Sequence, residues 1–385
     1  MFTILLPKLL RVGGGSLQET PSILTQLAIH HPVVITDPFF AGNGMLETLI
    51  SILAAGGLSP RCFTGSVPDP TVTSVNAAVA FIKAGACDAV IGFGGGSSID
   101  TAKAAAVLAK RGGEIQALKA PHQEDSPGLP IIAIPTTAGT GSEATRFTII
   151  TDEVSDEKML CAGAAYMPTA AIVDYELTLS MPPRLTADTG IDALTHAIEA
   201  YVSKRATPFS DMLALAAMRA IWPNLRHVYA EPHNRTAREA MMLGSTQAGM
   251  AFSNASVALV HGMSRPIGAH FHVAHGLSNA MLLPAVTAWS APAAAGRYAD
   301  CARTMNIASI NDNDETAASR LVEALQRLNI DLAVPTPKSY GLDKQRWTDL
   351  LPTMAEQALA SGSPANNPRV PDAQTIQELY LSAWE

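Results

Sequence analysis

Several features that mark large classes of protein are missing from this sequence. None of its four cysteines forms a Cys-x-x-Cys pair, so neither a thiolate zinc site nor a redox dithiol is indicated. We interpret them as buried free thiols in a reducing cytoplasm. No basic run is interleaved with aromatic residues, and the net charge is −8. These two properties argue against nucleic acid as a partner and leave small molecules open.

Long hydrophobic runs are also missing. No apolar run reaches the length of a membrane span, and the apolar start over residues 1–10 is interrupted by Pro7 and followed by Gly13-Gly14-Gly15. That segment lacks the basic start and the small-residue cleavage site of a secretory signal. We therefore predict no membrane association, and we predict that residues 1–10 form a first strand.

The composition favours a folded protein of two domains. The chain has 385 residues, of which 48% are hydrophobic and 16% charged, enough to bury large cores. In the first half, β-branched runs at 33–36, 89–93 and 131–134 read as strands. The first two are followed by helix-like stretches at 44–54 and 98–109. This alternation predicts a parallel sheet covered by helices on both faces.

The pattern changes near Met181-Pro182-Pro183. Beyond it lie long stretches rich in Ala, Leu and Met with helical spacing, such as 211–221 and 235–250, and few β-branched runs. We predict an α/β dinucleotide-binding domain over residues 1–182 and an all-helical metal-binding and substrate domain over 183–385. Ligand pockets often lie in clefts between such domains.

A glycine-rich loop follows the strand at 89–93, with the sequence Gly94-Gly95-Gly96-Ser97-Ser98. Glycines allow close approach of the backbone to a ligand, and the N–H groups at a helix start favour an anion such as pyrophosphate. The alternative is a plain tight turn, but three glycines and two serines exceed what a turn needs. Neither this loop nor Gly13-Gly14-Gly15 matches Gly-x-Gly-x-x-Gly, so the ordinary Rossmann fingerprint is absent.

Two further segments fit a nucleotide cleft. Residues 135–143, which include Thr136 and Thr137, form a small, hydroxyl-rich loop after the next buried strand. Asp37 ends the strand at 33–36, where a carboxylate can accept both ribose hydroxyls of NAD and repel a 2′-phosphate. The alternative role for Asp37 is a helix cap or a turn residue, since Pro38 follows it.

Histidines and one aspartate suggest a metal site. Asp192 and His196 lie four apart in a helical stretch over 189–201, which places both side chains on one helix face. Five of the ten histidines lie at position 196 and in a second group, namely His261, His270, His272 and His275. Three histidines and one aspartate suit Fe(II) or Zn(II). Spacing alone leaves open which members of the second group bind.

Four segments, in this order along the chain, resemble the iron-containing (group III) alcohol dehydrogenase family. They are Gly94-Gly95-Gly96-Ser97, the loop 135–143, the stretch 190–201 and the segment from His261-Gly262-Met263 to His275-Gly276-Leu277-Ser278-Asn279-Ala280. The resemblance extends over nearly the whole chain. It implies a dehydroquinate synthase-like fold, with an N-terminal α/β domain and a C-terminal helical domain, and a homodimer or larger homo-oligomer.

The resemblance also implies the site residues. The metal ligands would be Asp192, His196, His261 and His275, with Fe(II) expected and Zn(II) as the alternative. The glycine loop with Thr136 and Thr137 would contact the cofactor, and Asp37 the adenosine ribose. In the implied reaction the cation lowers the pKa of a small alcohol, and hydride passes from its carbon to NAD. Aldehyde reduction is the reverse.

One position departs from the family pattern. Family members commonly carry a histidine four residues after the third ligand, where this chain has Arg265. Arginine cannot exchange a proton near neutral pH, so proton exchange would fall to His270, a bound water or the cofactor ribose. Arg265 itself would either pair with an acid or a cofactor phosphate, or hold an anionic group of the substrate.

Two other functions compete with this one. The first is that of a related zinc-dependent polyol dehydrogenase, or of another dehydroquinate synthase-like enzyme, with the same fold and NAD cleft. The second is that of a non-catalytic protein that binds nucleotide and metal, which the replacement at Arg265 would allow.

Overall fold

The computed structural model describes residues 2–385, which form two compact units, Thr3–Ser180 and a second one that contains Met181–Glu385. The first unit is an α/β structure and the second is all-helical. This is the predicted fold class. The domain boundary after residue 182 stays a prediction.

The first unit is built on a six-stranded parallel sheet. Its strand order is β1-β8-β5-β4-β2-β3, and β6 and β7 form a separate antiparallel hairpin. The strands are β1 Leu9–Val12, β2 Pro32–Ile35, β3 Arg61–Phe63, β4 Ala89–Gly94, β5 Ile131–Pro135, β6 Phe147–Asp152, β7 Glu157–Ala162 and β8 Ala170–Val173.

Helices cover both faces of this sheet. They are α1 Thr20–Gln26, α2 Pro38–Gly42, α3 Met45–Ala55, α4 Val72–Ala84 and α5 Gly96–Arg111. Alternate strand residues point to opposite faces: Val34 and Ile91 pack with residues of α1 and α3, whereas Val33 and Val90 pack with residues of α4 and α5. Burial on both faces explains why these strands read as continuous apolar runs.

The prediction of a first strand over residues 1–10 is wrong in its limits. The strand β1 begins at Leu9 and ends at Val12, while residues 2–8 lie outside any strand and Met1 lies outside the described residues. Strand β1 is short because it is an edge strand that pairs only with the four residues of β8, from Ala170 to Val173. Apolar character alone did not reveal how short that partner is.

The second unit contains ten helices within the described residues. They are α6 Pro183–Val202, α7 Pro208–Ala230, α8 Arg235–Asn254, α9 Leu259–Phe271, α10 His275–Ser290, α11 Ala295–Thr304, α12 Asp314–Asp331, α13 Pro337–Tyr340, α14 Lys344–Ala360 and α15 Ala373–Ser382. The predicted helical stretches 211–221 and 235–250 lie inside α7 and α8. Side-chain caps at Thr207 and Asn234 set where those two helices begin.

Helix α6 lies at the centre of this unit. It packs against α7, α8, α9, α10 and α11, and its buried residues include almost every position from Thr186 to Val202. Any polar side chain on its inner faces is therefore removed from water. Among residues 2–385, no helix has both the length and the apolar character that crossing a bilayer requires. The four cysteines are free thiols, three of them buried and Cys62 half-buried.

Candidate functional site

Three helices of the second unit bring histidine and aspartate side chains to one place. Asp192 and His196 lie on α6, His261 lies in the first turn of α9, and His275 is the first residue of α10. The first three are at most 5% exposed, which is uncommon for such residues unless they are paired or bind a metal. His275 is half-buried, so this side of the cluster is open.

The donor atoms are spaced as one cation requires. Oδ1 of Asp192 lies 3.4 Å from Nε2 of His261 and 3.7 Å from Nε2 of His275. Ligands on tetrahedral bonds of about 2.1 Å lie roughly 3.4 Å apart. The donor atoms of these three residues all lie within 4.8 Å of one another. A carboxylate with imidazoles suits Fe(II) or Zn(II), so these residues fit the expected metal.

His196 lies beside this trio. Its Nδ1 is 4.0 Å from Oδ2 of Asp192, and its ring stacks between those of His261 and Phe252, with centroid distances of 4.4 and 4.2 Å. The aromatic neighbours restrict the imidazole to one plane. The structure therefore brings the three predicted histidine ligands beside Asp192, but only His261 and His275 share with it a group of donor atoms close enough for one cation.

The cluster is electrostatically suited to positive charge. Burial alone would raise the pKa of Asp192, but His196, His275 and His261 outweigh it and hold that pKa far below its usual range. Burial lowers the pKa of His261, but the carboxylates of Glu199 and Asp192 outweigh burial and raise it to about 9. The site therefore favours a positive charge, carried either by a proton on imidazole or by a cation that displaces it.

The other two histidines of the second group lie elsewhere. Nε2 of His270 is 2.8 Å from Oε1 of Gln357 on α14. His272 is exposed and ends α9 in a left-handed conformation, with φ 54°. Neither belongs to the group of donors around Asp192.

The candidate cofactor residues of the first unit share one edge of the sheet. Asp37 follows β2, the glycine loop follows β4, and Thr136 follows β5, and these three strands are neighbours. Carboxyl ends of parallel strands meet at the same edge, where open α/β sheets bind ligands. Helix α5 already begins at Gly96, so Ser97 and Ser98, which we predicted to be loop and helix start, both lie in its first turn.

The two loops at this edge pack closely. The N–H of Thr136 donates to the carbonyl of Gly94 at 3.0 Å, and a Cβ on Gly96 would lie 2.8 Å from the Thr140 side chain. A Cβ on Gly95 would lie 3.5 Å from Thr137. Glycine at position 96 thus allows the close approach of the second loop.

Asp37 has a structural task in this conformation. Its Oδ1 accepts hydrogen bonds from the N–H groups of Phe39 and Phe40, at 2.9 and 3.2 Å, which caps α2. Its Oδ2 accepts one from the Ser98 hydroxyl at 3.3 Å. The alternative role as a helix cap is therefore present, and a contact with the cofactor ribose stays a prediction.

Comparison with known proteins agrees with this geometry over the whole chain. A family model described as iron-containing alcohol dehydrogenase matches residues 7–175, and one described as the C-terminal part of the Fe-containing alcohol dehydrogenase family matches residues 186–384. The chain belongs to the iron-containing alcohol dehydrogenase family. It is an NAD-dependent, metal-containing alcohol dehydrogenase with a His/Asp metal site in its C-terminal helical part.

Similar family members span the full length of the chain. Long-chain-alcohol dehydrogenase 1 of Geobacillus thermodenitrificans (strain NG80-2) is 41% identical over 358 residues, covering 92% of this chain and 90% of that protein. The NAD-dependent methanol dehydrogenase of Bacillus methanolicus is 36% identical and both chains are fully covered. A crystal structure of 1,3-propanediol oxidoreductase superposes with a TM-score of 0.95 at 33% identity, with both chains fully covered.

Glu199 is one residue near the metal cluster that sequence reasoning missed. It is buried on α6, and its carboxylate accepts hydrogen bonds from the N–H groups of Ala258 and Val260 at 2.9 and 2.6 Å. Its Oε2 lies 2.6 Å from Nδ1 of His261. A hydrogen on Nδ1 leaves the Nε2 lone pair directed at Asp192 and His275. The available signal was its spacing, seven residues after Asp192 and on the same helix face.

Asn279 is the second missed residue. It is fully buried on α10, and its Nδ2 donates to Oδ1 of Asp192 at 2.7 Å. The same nitrogen lies 3.1 Å from Nε2 of His261 and 3.3 Å from Nε2 of His275. All three donors thus converge on one atom, as they would on a cation. The signal in the sequence was the spacing of four residues from His275.

Proposed function

We propose that this enzyme oxidises small primary alcohols and reduces the matching aldehydes with Fe(II), held by Asp192, His196, His261 and His275. The observation that carries the proposal is the convergence of the donor atoms of Asp192, His261 and His275, which all lie within 4.8 Å of one another. The relatives named above act on long-chain alcohols, methanol and 1,3-propanediol according to their names. Unbranched primary alcohols are therefore the substrate class we expect.

When bound, the cation supplies Lewis acidity toward the alcohol oxygen, and NAD supplies the hydride acceptor. The residues around the metal site orient its ligands. Glu199 fixes His261 in the tautomer whose Nε2 lone pair faces the site. In this structure the Asn279 amide donates to the Asp192 carboxylate at 2.7 Å, from the position among the three donor atoms that a cation would take. Both groups are buried, so water does not compete for these hydrogen bonds.

We propose that the proton is exchanged by His270, a bound water or the cofactor ribose, because Arg265 cannot serve. Nε2 of His270 is held by Gln357, which fixes the ring and assigns the N–H to that nitrogen. Nδ1 is then the atom that can accept a proton.

In the first unit, we propose that NAD is bound at the carboxyl edge of the sheet. The residues that would contact it are Asp37 for the adenosine ribose and, for the phosphates and the rest of the cofactor, Gly94, Gly95, Gly96, Ser97, Ser98, Thr136 and Thr137. The support is that the N–H groups at the start of the 16-residue helix α5 lie beside bare glycines, an arrangement that favours anions. We further propose a cytoplasmic homodimer or larger homo-oligomer.

The runner-up is a zinc-dependent polyol dehydrogenase, because Zn(II) accepts the same donors. One assay separates the alternatives: NADH absorbance is followed with a panel of alcohols, polyols and aldehydes after loading the purified protein with Fe(II) or Zn(II). Turnover of primary alcohols with Fe(II) supports the proposal. Turnover only of polyols with Zn(II) supports the runner-up, and binding of NAD and metal without turnover of any substrate contradicts both.

A further inference from the structure

Arg265 is the feature of the helical unit that the reaction itself does not use. It lies on α9, four residues after His261, so both side chains lie on the same helix face about 6 Å apart along the axis. The side chain is half-buried, and its Nε is buried without a hydrogen-bond partner among residues 2–385. A buried N–H donor left without an acceptor is destabilising unless a ligand satisfies it.

Glu199, the acid whose charge affects the pKa of Arg265, already accepts hydrogen bonds from other groups. The negative charge of Glu199 raises the pKa of Arg265, although burial outweighs it and lowers that pKa to about 10. Both oxygens of Glu199 are occupied by the N–H groups of Ala258 and Val260 and by His261. No ion pair joins the two residues in the described part of the chain. Arg265 is thus a cation that forms no ion pair within the described residues.

We propose that Arg265 is a specificity-determining residue that binds an anionic group, a carboxylate above all, at the far end of the substrate. This inference rests on the proposed function, because it takes the reacting alcohol to be at the Asp192 cluster. The guanidinium offers parallel N–H groups that match a carboxylate. The chemistry is unchanged: the alcohol carbon of an ω-hydroxy acid gives a hydride to NAD, the hydroxyl proton is released, and the carboxylate stays intact.

The expected effect is a shift in the ratio of two substrates. A charge-assisted hydrogen bond corresponds to about a ten- to hundredfold change in specificity. In Arg265→Gln, kcat/KM for 4-hydroxybutanoate should fall by about that factor relative to kcat/KM for 1,4-butanediol, its neutral counterpart. Arg265→Lys keeps the charge but loses the paired N–H groups, so its loss should be intermediate. Arg327→Ala removes an exposed arginine from α12 and should leave the ratio unchanged.

A binding measurement supplies a readout that does not depend on turnover. Butanoate, which cannot be oxidised as an alcohol, is titrated calorimetrically into the metal-loaded protein and into its Arg265→Gln and Arg265→Lys variants. Loss of butanoate affinity in Arg265→Gln, with partial retention in Arg265→Lys, supports the inference. Equal affinity in all three proteins shows that the metal alone holds the carboxylate and overturns it.

The kinetic outcomes separate the inference from the function on which it rests. If the parent oxidises 1,4-butanediol but not 4-hydroxybutanoate, or if the ratio is the same in Arg265→Gln, the anion site is refuted and the alcohol dehydrogenase stands. If the parent oxidises neither these two compounds nor any alcohol of the panel, the proposed function fails. A change of the ratio in folded Arg265→Lys keeps the test valid even where the glutamine variant does not fold.

Discussion

Nδ1 of His261 lies 2.6 Å from Oε2 of Glu199, although the two residues are 62 positions apart in the chain. The contact joins α6 to the first turn of α9, because the same carboxylate also accepts the N–H groups of Ala258 and Val260. One buried side chain therefore determines where α9 begins and which nitrogen of His261 faces Asp192. Carboxylate partners of this kind commonly raise the basicity of a ligating histidine.

Replacing Glu199 with Gln should weaken metal binding about ten- to hundredfold, the range found for such supporting residues. The amide keeps one acceptor oxygen but removes the charge that favours an N–H on Nδ1 of His261. Metal dissociation constants measured by competition with a chelator provide the test. Glu239→Gln, the same substitution at an exposed position of α8, serves as the control. Equal metal affinity in Glu199→Gln and the parent would refute the role of Glu199.

Replacing His275 with Ala should remove most of the bound metal and most of the activity, whereas His272→Ala should retain both. His275 Nε2 lies 3.7 Å from Asp192 Oδ1, while His272 is exposed at the end of α9. Metal content per protein chain, measured by elemental analysis after gel filtration, decides between them. The assignment is wrong if His272→Ala strips the metal and His275→Ala does not.

Cofactor choice should favour NAD over NADP, because the Asp37 carboxylate would face a 2′-phosphate of like charge. Asp37→Gly should relax this preference, but it also removes the cap of α2. Asp37→Asn keeps a capping oxygen and loses the charge, so it separates cofactor choice from stability. Both variants should raise kcat/KM with NADP relative to NAD. Equal efficiency of the unmodified enzyme with both cofactors would defeat this claim.

The buried Lys103 should make the free energy of unfolding increase with pH in the alkaline range. It is fully buried on α5 and donates to the carbonyls of Thr145 and Phe147. Burial lowers its pKa to about 8, against the attraction of Asp100 and Glu143. The unfolded chain, with a lysine pKa near 10.4, binds more protons between those two values. The contribution of Lys103 to stability therefore increases with pH in that window.

The measurement compares the parent with Lys103→Met in denaturant at pH 7 and pH 9.5. From the two pKa values, the difference in unfolding free energy between parent and variant should move in favour of the parent by about 2 kcal/mol. Subtracting the variant removes the contribution of tyrosines and cysteines that titrate in the same range. A difference that stays constant, or moves the other way, contradicts the lowered pKa of Lys103.

The parts of the fold that the sequence revealed are those determined locally. Buried strands such as β4 are continuous apolar runs between turn residues, and α8 shows helical spacing after the cap at Asn234. The predicted limits of strand β1 were wrong because the length of β1 depends on its pairing with β8, about 160 positions later. The hairpin of β6 and β7 was not predicted, since its strands are only partly buried and polar residues occupy several positions.

The site follows the same division. Asp192 and His196 were recognisable because four residues make one helical turn. Spacing could not select His275 over His272, since the αL conformation that ends α9 at His272 depends on packing. The family resemblance supplied that choice. The contact of Glu199 with His261 and the absence of a hydrogen-bond acceptor at Nε of Arg265 arise only in the folded chain. No local sequence pattern could therefore predict them.

Metal dependence of turnover tests the central claim most directly. The purified enzyme is stripped with a chelator and then titrated with Fe(II), while NADH formation from a primary alcohol and bound metal are measured together. Activity should disappear with the metal and return in proportion to it, up to one Fe(II) per chain, and Asp192→Ala should neither bind the metal nor turn over the alcohol. Undiminished alcohol oxidation by the metal-free protein would contradict it.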